Sequence, residues 1–90
     1  MTPITYSKRA FKYVKELQPK QAKQILLGIA ALSLDPMPQD CRHLAGYPGF
    51  FRLTLGEHRA IFERVDGIIE IKVIGARNDD DVYREFKKIV

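Results

Sequence analysis

Apolar positions recur at helical spacing in the first part of the chain and alternate in the second. Ala10, Phe11, Val14 and Leu17 form one stripe, from which Lys8, Lys12 and Lys15 fall away. Ser7 is placed to cap this helix, which the pattern carries to about Gln18. Pro19 suits the first turn of a second helix, where a missing N–H costs nothing. Ala22, Ile25, Leu26, Ile29 and Leu32 continue that helix to about Ser33, so the two segments read as a helical hairpin. Ile4-Thr5-Tyr6 before it reads as a short strand. Asp35-Pro36-Met37-Pro38 ends the helical region, and Gly46-Tyr47-Pro48-Gly49 is a second turn-rich stretch.

From Phe50 the period changes to two. Phe50 to Leu55, His58 to Val65 and Ile68 to Gly75 read as three strands joined by Gly56-Glu57 and Asp66-Gly67, both suited to tight hairpin turns. Asn78 is placed to cap a last helix from about Asp79, whose acidic start and Lys87-Lys88 end match the helix dipole. The fold class expected is therefore α+β: an N-terminal helical hairpin packed on a small antiparallel sheet, with a C-terminal helix. Residues 1–90 read as one domain, without repeats or a linker.

The two turns set the register and hence the faces. Phe51 pairs with Phe62, Leu53 with Ala60 and Thr54 with Arg59; beyond the second turn Phe62 pairs with Ile71, Ala60 with Val73 and Arg59 with Ile74. One face then collects Phe51, Leu53, Leu55, Ala60, Phe62, Ile69, Ile71 and Val73 as a core against the hairpin. The other collects Arg52, Thr54 and Arg59, with Glu63, Glu70 and Lys72 further along. Gly75 is expected opposite His58, which puts Arg77 just past the strand end, with Tyr83 a little over a turn into the last helix. Arg52, Arg59, Arg77 and Tyr83 thus converge at one end of the sheet. Any single arginine there is explained by a solvated face with Glu63 and Glu70 as counter-ions. As a group, arginines without evident carboxylate partners point to a bound anion.

The charge balance agrees with an anionic partner. The formal net charge is +4, and up to Lys23 the chain carries Lys8, Arg9, Lys12, Lys15, Lys20 and Lys23 against Glu16 alone, which favours a polyanion or an acidic protein. Cys41 is the single cysteine, so no internal disulfide forms, and two histidines add too little for a structural zinc site. No apolar run is long enough to span a bilayer, and MTPITYSKRA lacks the apolar stretch of a secretory signal. The expectation is a cytoplasmic protein without metal or other cofactor and without a membrane partner.

The stretches HLAGYPGFFRLTL, HRAIFERVDGIIEIKVIGAR and DDDVYREFKK together resemble the RelE branch of the RelE/ParE toxins of bacterial toxin–antitoxin systems. The most diagnostic part is GARNDDDVY, from Gly75 to Tyr83. The resemblance implies a ribosome-dependent endoribonuclease that cuts mRNA in the A site and is held inactive by a cognate antitoxin, so ribosome, mRNA and antitoxin are the implied partners. By position, Arg52 matches a lysine of the family's best-known sites, Arg59 and Arg77 match phosphate-binding arginines, and Tyr83 matches a C-terminal tyrosine. Thr54 stands where the prototype has a second lysine.

Metal-free RNA cleavage uses the adjacent 2′-OH as nucleophile, so the site must take its proton, stabilise charge on phosphorus and assist the leaving 5′-oxygen. Arginine suits the middle task, because its planar fork binds phosphate bidentately and stays charged. Arg59 and Arg77 are assigned to the scissile phosphate, Arg52 to that phosphate or an adjacent one, and Tyr83 to proton transfer or base stacking. Thr54, Tyr47, Lys12 and Lys15 are candidate substrate contacts, the lysines contributing charge and not specificity. His58 suits acid–base work by type, but alternation puts it on the core side; His43 reads as an ordinary surface histidine in a loop. Two other readings stay open: a non-catalytic ParE-like inhibitor of DNA gyrase, and a plain RNA-binding module. The latter lacks an exposed aromatic ladder, since Phe51 and Phe62 are needed inside.

Overall fold

The structure is a computed structural model that describes residues 2–34, 41–76 and 81–89. The chain runs β1 (Ile4–Tyr6), α1 (Lys8–Lys15), α2 (Pro19–Ala30, extended by a 3-10 turn over Ala31–Ser33), β2 (Cys41–His43), β3 (Phe50–Leu55), β4 (His58–Val65), β5 (Ile68–Ala76) and α3 (Asp81–Ile89). The strands form one sheet in the order β1-β5-β4-β3-β2. Two features differ from the sequence reading. β1 joins the edge parallel to β5, so the sheet is mixed at that side. β2 is a strand the alternation does not reveal, because three residues between turn-rich segments carry no period, and it places His43 on a strand and not in a loop.

Local chemistry sets the element boundaries. The Ser7 hydroxyl accepts a hydrogen bond from the Ala10 amide at 3.0 Å and donates to the Lys72 carbonyl at 2.7 Å, so one side chain both caps α1 and ties it to β5. α1 stops before Gln18, whose extended backbone (φ −61°, ψ 147°) is the conformation a following proline demands, and Pro19 opens α2. Both hairpin turns use left-handed backbone, at Gly56 (φ 60°) in the first and at Asp66 and Gly67 (φ 51° and 75°) in the second.

The hairpin packs on one sheet face. Ala10, Val14, Ile25, Ile29 and Leu32 close over Leu53, Leu55, Ala60, Phe62, Ile69, Ile71 and Ile74, and the Phe51 and Phe62 rings stack with centroids 5.3 Å apart. Phe11, expected on the buried stripe, is 60% exposed: α1 turns Ala10 and Val14 to the sheet, which rotates Phe11 to the rim.

The register is as expected from Phe51↔Phe62 to Leu55↔His58 and through Phe62↔Ile71, but a bulge in β5 then shifts it by one. Ile61 pairs with Val73, Ala60 with Ile74, Arg59 with Gly75 and His58 with Ala76. Val73 therefore leaves the hairpin core, where simple alternation puts it, and Ile74 takes its place. Val73 joins Ile61 on the opposite face, where both pack against Val82 and Phe86 of α3. Helix α3 lies close to the strand: a Cβ on Gly75 would come within 3.0 Å of the Val82 Cβ. Asn78, the expected cap of this helix, lies outside the described residues, and the apolar stripe of α3 serves as core at Val82 and Phe86.

Candidate functional site

Alternation along β3 and β4 puts Arg52, Thr54 and Arg59 on the α3 side of the sheet, with Thr54 and Arg59 directly opposite one another. Arg52 is half-buried and meets α3: its Nη1 donates to the Tyr83 hydroxyl at 2.9 Å. Two of the four residues assigned to catalysis are thus in direct contact. The burial of Val82 and Phe86 sets the rotation of α3, and that rotation turns Tyr83 toward β3.

The Arg59 guanidinium curls back over the first hairpin turn and donates to the carbonyls of His58 (3.1 Å) and Gly56 (3.4 Å). It shares the face with Arg52, but its hydrogen bonds go to the turn and not to Arg52 or Tyr83. Arg77 lies outside the described residues. The strand that leads to it is placed, with Gly75 beside Arg59 and Ala76 beside His58.

The expected counter-ions are engaged elsewhere. Lys72 lies 2.6 Å from Glu70 and 3.5 Å from Glu63, so both acids of this face gather on one lysine at the far end of the sheet. The hydrogen bond to Glu70 raises the Lys72 pKa; desolvation opposes the rise and the charges of Glu70 and Glu63 reinforce it. Among the described residues, Arg52 and Arg59 have hydroxyl and carbonyl partners and no carboxylate.

A cleft of about 420 Å³, in the size range of ligand sites, opens beside the Arg52–Tyr83 contact. The loop before β3 supplies one wall. Its backbone folds on itself through Tyr47 N to Leu44 O and Phe50 N to Tyr47 O, both 3.1 Å. This holds the Tyr47 ring edge-on to Phe86, with centroids 4.9 Å apart. Tyr47 thus lines the same cleft as Arg52 and Tyr83. Lys12 and Lys15 are exposed on α1, on the other side of the sheet, and do not reach it.

Sequence reasoning missed two cations near this cleft. Lys87 lines it, and its position four residues after Tyr83 was a readable signal. Arg42 sits beside Arg52 in the β2–β3 ladder and was hidden because β2 was. His58 is buried as expected, with Nδ1 hydrogen-bonded to the Tyr13 hydroxyl of α1 at 2.9 Å, which ties the hairpin to the sheet.

No protein-family model matches this sequence, and no curated protein matches it. Solved structures match its fold. A mutant of the Escherichia coli toxin RelE in the free state superposes with a TM-score of 0.80 at 19% identity, covering 99% of this chain and 98% of that one. The RelE of an archaeal RelE–RelB complex from Pyrococcus horikoshii gives 0.74 at 24% identity, covering 87% and 98%. YoeB from a Staphylococcus aureus dimer gives 0.65 at 22% identity, covering 80% and 92%. From its first strand to its last helix, this chain therefore has the fold of the RelE toxins.

Proposed function

We propose that this protein is the toxin of a type II toxin–antitoxin pair, an endoribonuclease that cuts ribosome-bound mRNA in the A site. The observation that carries the reading is the Arg52–Tyr83 contact beside an open cleft, on a face whose acids are occupied by Lys72. The likeness to RelE structures agrees with it.

In the reaction the 2′-hydroxyl gives up its proton as its oxygen attacks phosphorus, the P–O5′ bond breaks, and the leaving 5′-oxygen takes up a proton, so the products are a 2′,3′-cyclic phosphate and a 5′-hydroxyl. Arg52, with Arg59 and Arg77, is assigned to the charge that builds on the phosphoryl oxygens. The Arg59 guanidinium must leave its turn carbonyls to do so, a side-chain rotation at an accessible position. Tyr83, oriented by Arg52, is assigned to the proton of the 2′-hydroxyl or to a stacked base, and Tyr47 and Thr54 to the RNA beside it. The exposed lysines Lys12 and Lys15 add attraction to ribosomal RNA from the other side.

An antitoxin is the second partner, supported by the neighbours solved as RelE–RelB complexes. Phe11 and Leu26 are exposed among Lys8, Lys12, Lys15 and Lys23, which suits an acidic amphipathic segment. Action on ribosomes places the protein in the cytoplasm; among the described residues no helix is long and apolar enough to cross a membrane.

The test is purified protein added to a cell-free translation reaction, with mRNA ends mapped by primer extension and with Arg52→Ala and Arg77→Ala in parallel. Cuts in the A-site codon that vanish in both variants and are absent on naked RNA are expected. No cuts, or cuts indifferent to both substitutions, would overturn the endonuclease and leave gyrase inhibition to be measured by DNA supercoiling.

A further inference from the structure

Lys87 has no role in the proposed reaction, yet its position is constrained. Val82 and Phe86 are almost wholly buried against Ile61 and Val73, so α3 cannot rotate without breaking that core. Tyr83 and Lys87 follow those two residues by one position each and share the neighbouring face of the helix. Both line the cleft that Arg52 borders from β3.

Two cations thus share one cleft. Among the described residues its other lining is His43, Leu44, Ala45, Tyr47, Tyr83 and Phe86, none of which carries a carboxylate. Among the described residues no acid pairs with Arg52 or Lys87, and Glu63 and Glu70 are drawn to Lys72. Like charges facing an open volume repel each other and are relieved by an anion between them. A planar guanidinium, an ammonium and tyrosine rings on a single cleft suit a phosphate with a base attached.

A helix end alone also favours lysines, and both Lys87 and Lys88 stand in the last turn of α3. The dipole does not discriminate between them. The cleft does, because Lys87 lines it and Lys88 does not.

We propose that Lys87 is a substrate-binding residue whose ammonium holds an RNA phosphate in the cleft beside Arg52 and Tyr83. The assignment rests on the endoribonuclease reading for its substrate, but its geometry requires only that the cleft takes single-stranded RNA. The phosphate is one flanking the scissile bond, so Lys87 contributes to binding more than to the chemical step.

The experiment uses a fluorescent 2′-O-methyl RNA tetranucleotide, which cannot be cleaved because the nucleophile is blocked. Its binding to the full chain is followed by fluorescence anisotropy between about 50 and 200 mM salt. Lys87→Ala is expected to weaken binding about tenfold and to lower the slope of log Kd against log salt by roughly 0.7, one single-strand phosphate contact. Lys87→Arg should restore most of both, and Lys88→Ala should behave as wild type. Circular dichroism of each variant separates binding from folding. In ribosome-bound mRNA cleavage, Lys87→Ala should raise the half-saturating concentration and leave the maximal rate nearly unchanged.

Binding unaffected by Lys87→Ala, an equal loss in Lys88→Ala, or no binding by the wild type would overturn the assignment. Displacement of an acidic peptide, without any RNA binding, would assign the cleft to a protein partner and overturn it too. Lys87-dependent binding without mRNA cleavage would uphold it and refute the endoribonuclease. Cleavage by the wild type that ignores Lys87 would do the reverse.

Discussion

The sheet face under the hairpin buries Leu53, Leu55, Phe62, Ile69, Ile71 and Ile74 beneath five apolar helical residues, whereas among the described residues the face under α3 buries only Ile61 and Val73 beneath Val82 and Phe86. The first face is continuous and follows from alternation as far as Ile71, beyond which the bulge seats Ile74 in place of Val73. The second exists because a bulge in β5 turns Val73 over and because Gly75 lets the helix come close. The large core holds the fold, and the small one places Tyr83 against Arg52. Stability and the proposed activity should therefore separate by face, since the small core has few contacts to lose and sits next to the candidate site.

The largest effect belongs to the large core. Phe62→Ala should cost about 3–5 kcal/mol, measured by urea denaturation, because it opens a cavity beneath Phe51. A loss no larger than that of Val82→Ala would show that the hairpin face is not the main support of the fold.

Gly75→Ala tests the other face. The added methyl meets Val82, so the helix must shift, costing about 1–3 kcal/mol. Because that shift carries Tyr83 away from Arg52, the proposed A-site cleavage should fall by about tenfold, with the folded fraction held constant. Near-normal cleavage would show that the seat of α3 is not what positions the site.

Tyr13→Phe sharpens the contrast from the hairpin side. It leaves His58 Nδ1 buried without its partner, at a cost of about 1–3 kcal/mol, with cleavage by the folded protein unchanged. A selective loss of cleavage would mean that His58 acts in the reaction.

The smallest effect is expected at Lys72. A pKa raised in the folded state adds stability that is fully present below the unfolded value, near 10.5, and is lost as pH rises through the folded one. Lys72→Met should thus cost less than about 1 kcal/mol at neutral pH, and that difference should vanish in strongly alkaline solution. A difference that persists there would assign the loss to packing of the lysine stem.

The helical hairpin, the three long strands and both turns were legible because each rests on local signals: a capping serine, Pro19 before a helical stripe, and glycines where the backbone turns left-handed. Arg52, Thr54 and Arg59 were placed on their face by the Gly56-Glu57 turn alone, since the β3–β4 ladder contains no irregularity. Val73 and Ile74 were another matter. A bulge has no periodic signature, and one extra residue reverses every assignment beyond it. β2 was missed for a related reason, since Cys41-Arg42-His43 is too short to show a period and becomes a strand only by pairing with β3.

The amino-acid order by itself determined the α+β class, most of the hairpin core and the face on which Arg52, Thr54 and Arg59 lie, because periodicity and turn chemistry act over a few neighbours. Tertiary structure alone decided that Arg52 meets Tyr83 across 31 positions of sequence, that Glu63 and Glu70 spend their charge on Lys72, and that Lys87 enters the cleft. Those outcomes depend on the rotation and depth of α3, which are set by how Val82 and Phe86 fit Ile61, Val73 and the bare backbone of Gly75. Such a fit depends on volumes brought together from distant segments, and no local pattern encodes it.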